Sequence, residues 1–123
     1  MNNKGQSLVM FILIIPVLLL ILVLVIDLGN IIVTKNHLDN TNYIVIDYAL
    51  DNLNDSDIQN KMLSLLNKNN KGNILTTINI ENNKIYITTE KEFEEVFFNI
   101  KIKTIKSSYI GYIENNKKVI ERV

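Results

Sequence analysis

The longest apolar stretch in the chain runs from Leu8 to Ile26 and contains no charged residue. At about 1.5 Å of rise per residue, its 19 residues come close to the ~30 Å hydrocarbon thickness of a bilayer. A buried helix of a soluble protein would show a polar stripe, and this stretch has none. The pattern therefore predicts a transmembrane helix over residues 8–26, which Pro16 kinks by removing one backbone hydrogen bond.

After this stretch the apolar residues adopt helical spacing, which predicts that the membrane helix continues as an amphipathic stem. The residues expected on its buried face are Leu28, Ile31, Leu38, Val45, Ala49 and Leu53. Gly29 lies inside this stem, where it indicates a bend or a close approach of another helix. Ser56 and Gln59 have the spacing of a capping box, which predicts a second helix that ends near Asn67.

Alternation of apolar and polar residues begins after Gly72 and predicts two β-hairpins. Their turns are expected at Glu81–Lys84 and Glu114–Lys117, because paired asparagines tolerate the positive φ angles of tight turns. The segment between the hairpins, from Glu90 to Phe98, mixes acidic and aromatic residues. It is expected to be a crossover that buries Phe93, Phe97 and Phe98, and an exposed aromatic contact patch is the alternative.

These elements predict an α+β fold with a long N-terminal transmembrane helix, a second short helix and a small antiparallel sheet of two hairpins. The expected divisions are a short cytoplasmic leader over residues 1–7, the membrane helix over 8–26, the stem over 27–53 and a small extracytoplasmic domain over 54–123. The orientation follows from Lys4 on the short side and Asp27 directly after the helix, since positive charge favours the cytoplasmic side.

A cleaved secretory signal is the main alternative to a permanent anchor. The apolar stretch exceeds the usual 7–15 residues of a signal, and Asp27-Leu28-Gly29 replaces the small residues of a cleavage site. An uncleaved helix therefore fits the pattern better.

Composition narrows the range of functions. The 13 basic and 13 acidic residues balance, so no general charge favours nucleic acid. Without cysteine, and with His37 as the single histidine, the chain offers no thiolate or multi-histidine metal site and no credible catalytic triad. Its four glycines are scattered and form no phosphate loop. We therefore expect no catalysis, no cofactor, no metal and no small-molecule ligand.

The amino end contains several spaced motifs: Lys4-Gly5-Gln6-Ser7-Leu8-Val9, Phe11, Pro16, Asp27-Leu28-Gly29 and Asn36-His37-Leu38-Asp39-Asn40. About the first forty residues closely resemble the start of TadE-like proteins, the minor pilins or pseudopilins of tight-adherence pilus systems. The rest of the chain agrees with them in outline, because such proteins carry a helical stem and a small α+β domain. The resemblance implies a bacterial cytoplasmic-membrane protein that helps to assemble a pilus.

The resemblance also assigns residues. It implies that a prepilin peptidase cuts after Gly5, so that Gln6 becomes the mature N-terminus and the membrane helix stays whole. The fifth residue after that cut is usually Glu in pilin-like proteins and is Met10 here, which cannot pair with the amino terminus of a neighbouring subunit. Met10, Pro16, Asp27 and Gly29 are the candidates for helix packing, and the expected partners are membrane lipid and other pilin or pilus-assembly proteins.

Two alternatives remain beside the minor pilin. One is a signal-anchored protein that is never processed and whose sheet edge or aromatic crossover binds a cell-envelope partner. The other is a membrane-tethered enzyme, for which Asp47 and Asp51, one helical turn apart, are the nearest approach to a carboxylate pair.

Overall fold

The structure, a computed structural model, describes residues 3–70, 72, 74–94 and 102–123. Within these residues two helices precede four strands, which confirms the α+β fold. The helices are α1 (Asn3–Asp51) and α2 (Ile58–Asn69), and the strands are β1 (Ile74–Glu81), β2 (Lys84–Glu94), β3 (Ile102–Glu114) and β4 (Lys117–Arg122). The strands form one sheet in the order β1-β2-β3-β4, and every pair of neighbours is antiparallel.

The two predicted asparagine turns are confirmed. Asn82 and Asn83 have φ angles of 50° and 62°, and Asn115 and Asn116 have φ angles of 52° and 61°. Positive φ at both central residues is the requirement of a two-residue type I′ turn, whose twist matches that of the strands it joins. Each turn fixes the register of its hairpin by closing it with one pair, Glu81 with Lys84 and Glu114 with Lys117.

The second strand is longer than the sequence predicts. β2 continues through Glu94, so the first half of the expected crossover is strand, paired with β3 from Ile102 onward. The ladder places Glu90 opposite Lys106, and this pair of opposite charges favours continued pairing over a crossover. Phe97 and Phe98, and the side chain of Phe93, lie outside the described residues, so their predicted burial stays a prediction.

The core lies between the C-terminal half of α1, α2 and one face of the sheet. Leu38, Val45 and Ala49 are buried as predicted, and Leu53 packs against the core. Leu28 is exposed, contrary to the prediction, although it lies 18 residues or five turns before the buried Ile46 and so on the same side of α1. The other buried apolar residues are Ile46, Leu50, Ile58, Met62, Leu66, Ile85, Ile87 and Ile105.

The predicted capping box does not form. α2 begins at Ile58, two residues after Ser56, and its N-cap Asp57 makes no side-chain cap bond. The turn is instead held by Asp55, whose Oδ1 accepts a bond from the amide of Asp57 at 3.0 Å and which pairs with Lys61. The bond from Lys61 is the main reason why the pKa of Asp55 is lowered. Gln59 turns away and donates to the carbonyl of Ile78 at 3.4 Å.

One glycine sets how closely α1 approaches the sheet. A Cβ built on Gly111 would overlap Cγ2 of Ile46 and would also touch Leu50. A Cβ on Gly29 of the same helix would meet nothing within 4 Å. Gly111 is therefore required by the packing of α1 on β3, and Gly29 is not required by the packing of the described residues.

The variant Gly111→Val should lower the free energy of unfolding by about 1–3 kcal/mol, because the added carbons overpack the contact with Ile46. The matched variant Gly29→Ala should be neutral or raise it by up to about 1 kcal/mol through helix propensity. Denaturant unfolding of the full chain in detergent, followed by the near-ultraviolet dichroism of its tyrosines, measures both. Equal stability of the Gly111 variant and the parent protein would contradict this packing.

Candidate functional site

Among the described residues, α1 is the one helix that is long and apolar enough to cross a membrane, and its apolar part is the N-terminal half. Its most apolar window of 18 residues has a mean hydropathy of 3.6 and no buried residue. The large side chains of this half are exposed on every side of the helix, from Leu8 to Ile26. Exposure of this kind is costly in water and favourable in lipid, so this half of α1 fits a membrane anchor.

Gly5 and Gln6 lie in the first turns of α1, just before the apolar stretch, and both residues are exposed. A Cβ on Gly5 would meet nothing within 4 Å, and glycine costs a helix about 1 kcal/mol relative to alanine. The fold described here therefore gives no reason for glycine at this position. The first four amides of a helix also lack partners within it, so this end opens more readily than its middle.

Met10 and Pro16 lie in the exposed apolar part of the helix. Met10 is 59% exposed and contributes no charge to this segment. Pro16 is inside the helix and cannot donate to the carbonyl four residues earlier, that of Ile12. α1 nevertheless continues without a break to Asp51. The carbonyl of Ile12 is therefore an acceptor that a neighbouring helix or a local adjustment of the backbone has to satisfy.

Asp27 and Gly29 mark the point where the apolar stretch ends. Asp27 is only 6% exposed, and its Oδ1 has no hydrogen-bond partner among the described residues. A buried polar atom without a partner costs about 1–3 kcal/mol. Gly29 is half-buried with free space where a Cβ would be, so another chain could approach the helix closely at this level.

A cluster of polar side chains joins the stem to the sheet above this level. Asp39, 5% exposed, accepts a bond from Ser107 Oγ at 2.5 Å and one from Arg122 at 2.7 Å. Asn42 is fully buried, and its Nδ2 lies 3.0 Å from both Thr89 Oγ1 and Ser107 Oγ. Because these partners lie on β2, β3 and β4, the cluster, which we term the polar junction, ties one helix to three strands.

Further contacts extend the polar junction along the stem. Lys35 donates to the backbone carbonyl of Lys106, and a nitrogen of the His37 ring lies 2.6 Å from the carbonyl of Asn69. Nearer the end of α1, Lys118 lies 2.7 Å from Asp51 and 3.1 Å from Asp47. These two carboxylates, with Asp51 the larger influence, raise the pKa of Lys118. Asp47 and Asp51 thus form ion pairs with Lys118 of β4.

Arg122, the basic partner of Asp39, also interacts with Tyr109. The pKa of Arg122 is raised, mainly by a hydrogen bond with Tyr109 and next by the negative charge of Asp39. The guanidinium carbon also lies 6.0 Å from the centre of the Tyr109 ring. Arg122 is therefore a charged donor to Asp39, as arginine is in proteins generally.

Sequence analysis did not identify the polar junction. Asp39 was expected only as part of a family motif, and Asn42 was not singled out. The signal was nevertheless present, because Asn42 follows the buried Leu38 by four residues and precedes the buried Val45 by three. A polar residue on a buried helical stripe needs partners, and those partners lie on strands more than 40 residues away.

Comparison with known proteins identifies a family match at the amino end. Residues 5–41 match the family described as "TadE-like protein", which confirms the resemblance of the amino end. No curated protein and no solved structure matches the chain. The matched segment begins at Gly5, contains the whole apolar stretch and ends at Thr41, inside the polar junction.

The variant Asp39→Ala should lower the free energy of unfolding by about 1–3 kcal/mol, because the hydroxyl of Ser107 loses its charged acceptor in a buried site. Asp47→Ala is the matched control on the same helix, and it should change little because Asp51 still holds Lys118. Denaturant unfolding of the full chain in detergent compares the two. Equal losses for both variants would show that the polar junction adds no specific stability.

Proposed function

We infer that this chain, whose residues 5–41 match the family described as "TadE-like protein", is a minor pilin that helps to assemble a tight-adherence pilus from the cytoplasmic membrane. The single observation that carries the proposal is the family match. It covers the segment that a pilin uses for export, processing and anchoring. The activity is structural: the membrane helix packs with other pilus subunits or assembly proteins, and the sheet is held outside the membrane on a rigid stem.

The geometry at both ends of the membrane segment supports this function. Gly5 has no packing role in the described residues, so recognition by a peptidase supplies a reason for glycine there. At the other end, Asp27 has a buried oxygen with no partner among the described residues, and Gly29 leaves free space on nearly the opposite side of the helix. A donor on a neighbouring helix would satisfy the oxygen, and the glycine lets a helix approach on its own side. The features at Asp27 and Gly29 gain an explanation when α1 is one helix of an assembly.

The second candidate is an anchored protein that is never processed and whose sheet domain binds a cell-envelope partner. Met10 favours it, because the absent carboxylate is the group expected to pair with the amino terminus that processing creates. Under this hypothesis the chain keeps its first five residues.

Processing after Gly5 predicts that the protein recovered from its native membrane begins at Gln6. Mass spectrometry of the intact chain measures this directly. The variant Gly5→Val should retain the leader, because a branched side chain does not fit a site built for glycine, while Gly29→Val serves as the control and should be cut normally. A second variant, Met10→Glu, should raise the processed fraction if the missing carboxylate limits the reaction.

A parent chain that still begins at Met1, in cells whose prepilin peptidase cuts other substrates, would refute the minor pilin proposal and favour the unprocessed anchor. Normal cutting of Gly5→Val would separately refute the assignment of this site.

The proposed orientation places the sheet outside the membrane. A cysteine introduced by Glu114→Cys, in an exposed strand end, should react with an impermeant thiol reagent in intact cells from which any outer barrier has been removed. Ser7→Cys is the matched control and should react only after the membrane is opened. The chain has no cysteine of its own, so each signal belongs to one position. Protection of Glu114→Cys in intact cells would reverse the orientation.

A further inference from the structure

The hairpin formed by β2 and β3 extends beyond the rest of the sheet at one end. β1 pairs with β2 only as far as Lys91, and β4 pairs with β3 only from Tyr109 onward. β2 and β3 continue to pair beyond these points, as far as Glu94 and Ile102. This last pair, which we term the hairpin end, is therefore the part of the described sheet that lies farthest from the two asparagine turns.

The hairpin end points toward the membrane segment of α1. β3 runs alongside α1 in the same direction, since Ser107 bonds to Asp39 and Gly111 lies against Ile46. Four residues of strand and seven residues of helix separate these two contacts, and they correspond to about 13 Å and about 10 Å. The two elements are therefore close to parallel, so that a position on β3 corresponds to a level on α1.

The level of the hairpin end follows from this correspondence. Ile102 lies five residues before Ser107, which is about 16 Å along the strand. The same distance along α1 leads back from Asp39 by about 11 residues, to Leu28. The apolar stretch ends at Ile26, and the headgroup layer beyond the hydrocarbon is about 5–7 Å deep. When residues 8–26 span the bilayer, the hairpin end therefore lies in the headgroup layer.

Burial along α1 is independent evidence that the sheet side of the fold reaches this level. Within the apolar stretch, all of which the structure describes, Val23 is the one residue that is not exposed. It begins a stripe of buried and half-buried residues at helical spacing, which continues through Asp27, Ile31 and Lys35 to Leu38. Leu38 belongs to the face that packs on the sheet. That face of α1 is therefore covered down to Val23, three residues inside the apolar stretch.

The exposed surface of α1 remains apolar over the same levels. Leu28 and Ile32 are 57% and 59% exposed, and both lie within two turns of Ile26. Large apolar side chains on a stem in water are unfavourable, whereas the boundary between headgroups and acyl chains accepts them. The surface of the helix and the hairpin end therefore fit the same layer of the bilayer.

The chemistry of the hairpin suits a lipid surface of either neutral or negative charge. Residues 90–106 contain four acidic and four basic residues, so no net charge attracts or repels the headgroups. The seven residues that join Glu94 to Ile102 lie outside the described residues, and their sequence includes Val96, Phe97, Phe98 and Ile100. An apolar sequence attached to strand ends in the headgroup layer favours contact with lipid over contact with water.

We propose that the hairpin end rests in the headgroup layer of the membrane that α1 spans, so that the domain contacts the lipid surface at a second point beside its anchor. This point lies about 10 Å from the axis of α1, the usual distance between packed layers. Because the polar junction joins α1 to the sheet, a second contact restricts both the tilt and the rotation of the stem. The contact lies on the sheet side of α1 and leaves the side of Gly29 open to another helix.

Depth measurements on single-cysteine variants of the full chain in lipid nanodiscs test the proposal. Ile102→Cys lies at the hairpin end, and Thr77→Cys is the matched control on the same face of the sheet, about 20 Å farther along the strands at the level of Ser108. A fluorophore on Ile102→Cys should be quenched by headgroup-labelled lipid at least several-fold more strongly than one on Thr77→Cys. Iodide in the water should quench them in the opposite order.

Two exposed positions repeat the measurement without replacing an apolar residue. Glu92 and Thr104 lie opposite each other, two residues from the hairpin end. Fluorophores on Glu92→Cys and Thr104→Cys should therefore give lipid quenching between the values for Ile102→Cys and Thr77→Cys. The chain has no cysteine of its own, so each signal belongs to one position.

The order of quenching should be the same in neutral and in anionic lipid, because the charges of the hairpin balance. Equal lipid quenching at all four positions, or quenching at Ile102→Cys that requires anionic lipid, would overturn the proposal. The proposal needs only that residues 8–26 span a membrane. The mass of the N-terminus reports on processing independently, so failure here is distinct from failure of the minor pilin proposal.

Discussion

One continuous helix has to satisfy two different surroundings, and the rest of the molecule is arranged around that constraint. Up to Ile26 the side chains of α1 face outward on every side, whereas from Leu38 onward one face is buried against the sheet. Leu38 lies 12 residues after Ile26, a distance of about 18 Å along the helix. Since no break in the helix separates anchor from domain, a rotation or tilt of the membrane helix is transmitted directly to the sheet.

Polar and apolar side chains make different contributions to the contact between the stem and the sheet. Its buried polar bonds join Asp39 and Asn42 to Ser107, and two turns farther along α1 its closest apolar contact is Ile46 against Gly111. Apolar burial supplies stability but is not directional. Hydrogen bonds from one helix to three strands fix the rotation of α1 as well as its height. A small domain with a limited core gains a defined orientation in this way.

Local patterns in the sequence were sufficient to predict the helices and turns, but they were insufficient to predict the contacts between distant parts of the chain. Nineteen uncharged residues predict the membrane helix, and paired asparagines predict both tight turns, because each depends on neighbours in the sequence. The extra length of β2 was missed because it depends on backbone pairing with β3, in which Glu90 lies opposite Lys106, 16 residues away. The capping box was wrong for the same reason: Gln59 meets the carbonyl of Ile78 on a strand and leaves the helix end to Asp55.

The residues of the candidate site also differ in how far the sequence could identify them. Gly5, Met10 and Asp27 stand out through motifs, whereas the partners of Asp39 depend on strand register and become visible only in the fold. The absence of cysteine and the balance of charge limit the kinds of chemical site that are expected. Neither feature indicates which polar residues are in contact in the fold.

The position of a cut relative to the helix distinguishes two ways of processing such an anchor. A signal peptidase acting after the apolar stretch would have to open α1 near Asp27, in the middle of a helix whose backbone bonds run through to Asp51. A cut after Gly5 lies in the first turn, where amides lack partners and glycine weakens the helix further. Opening the helix end costs far less than opening its middle, because opening the middle also disrupts the turns on either side. The same continuity that makes α1 a rigid stem therefore favours processing ahead of the membrane segment over processing behind it.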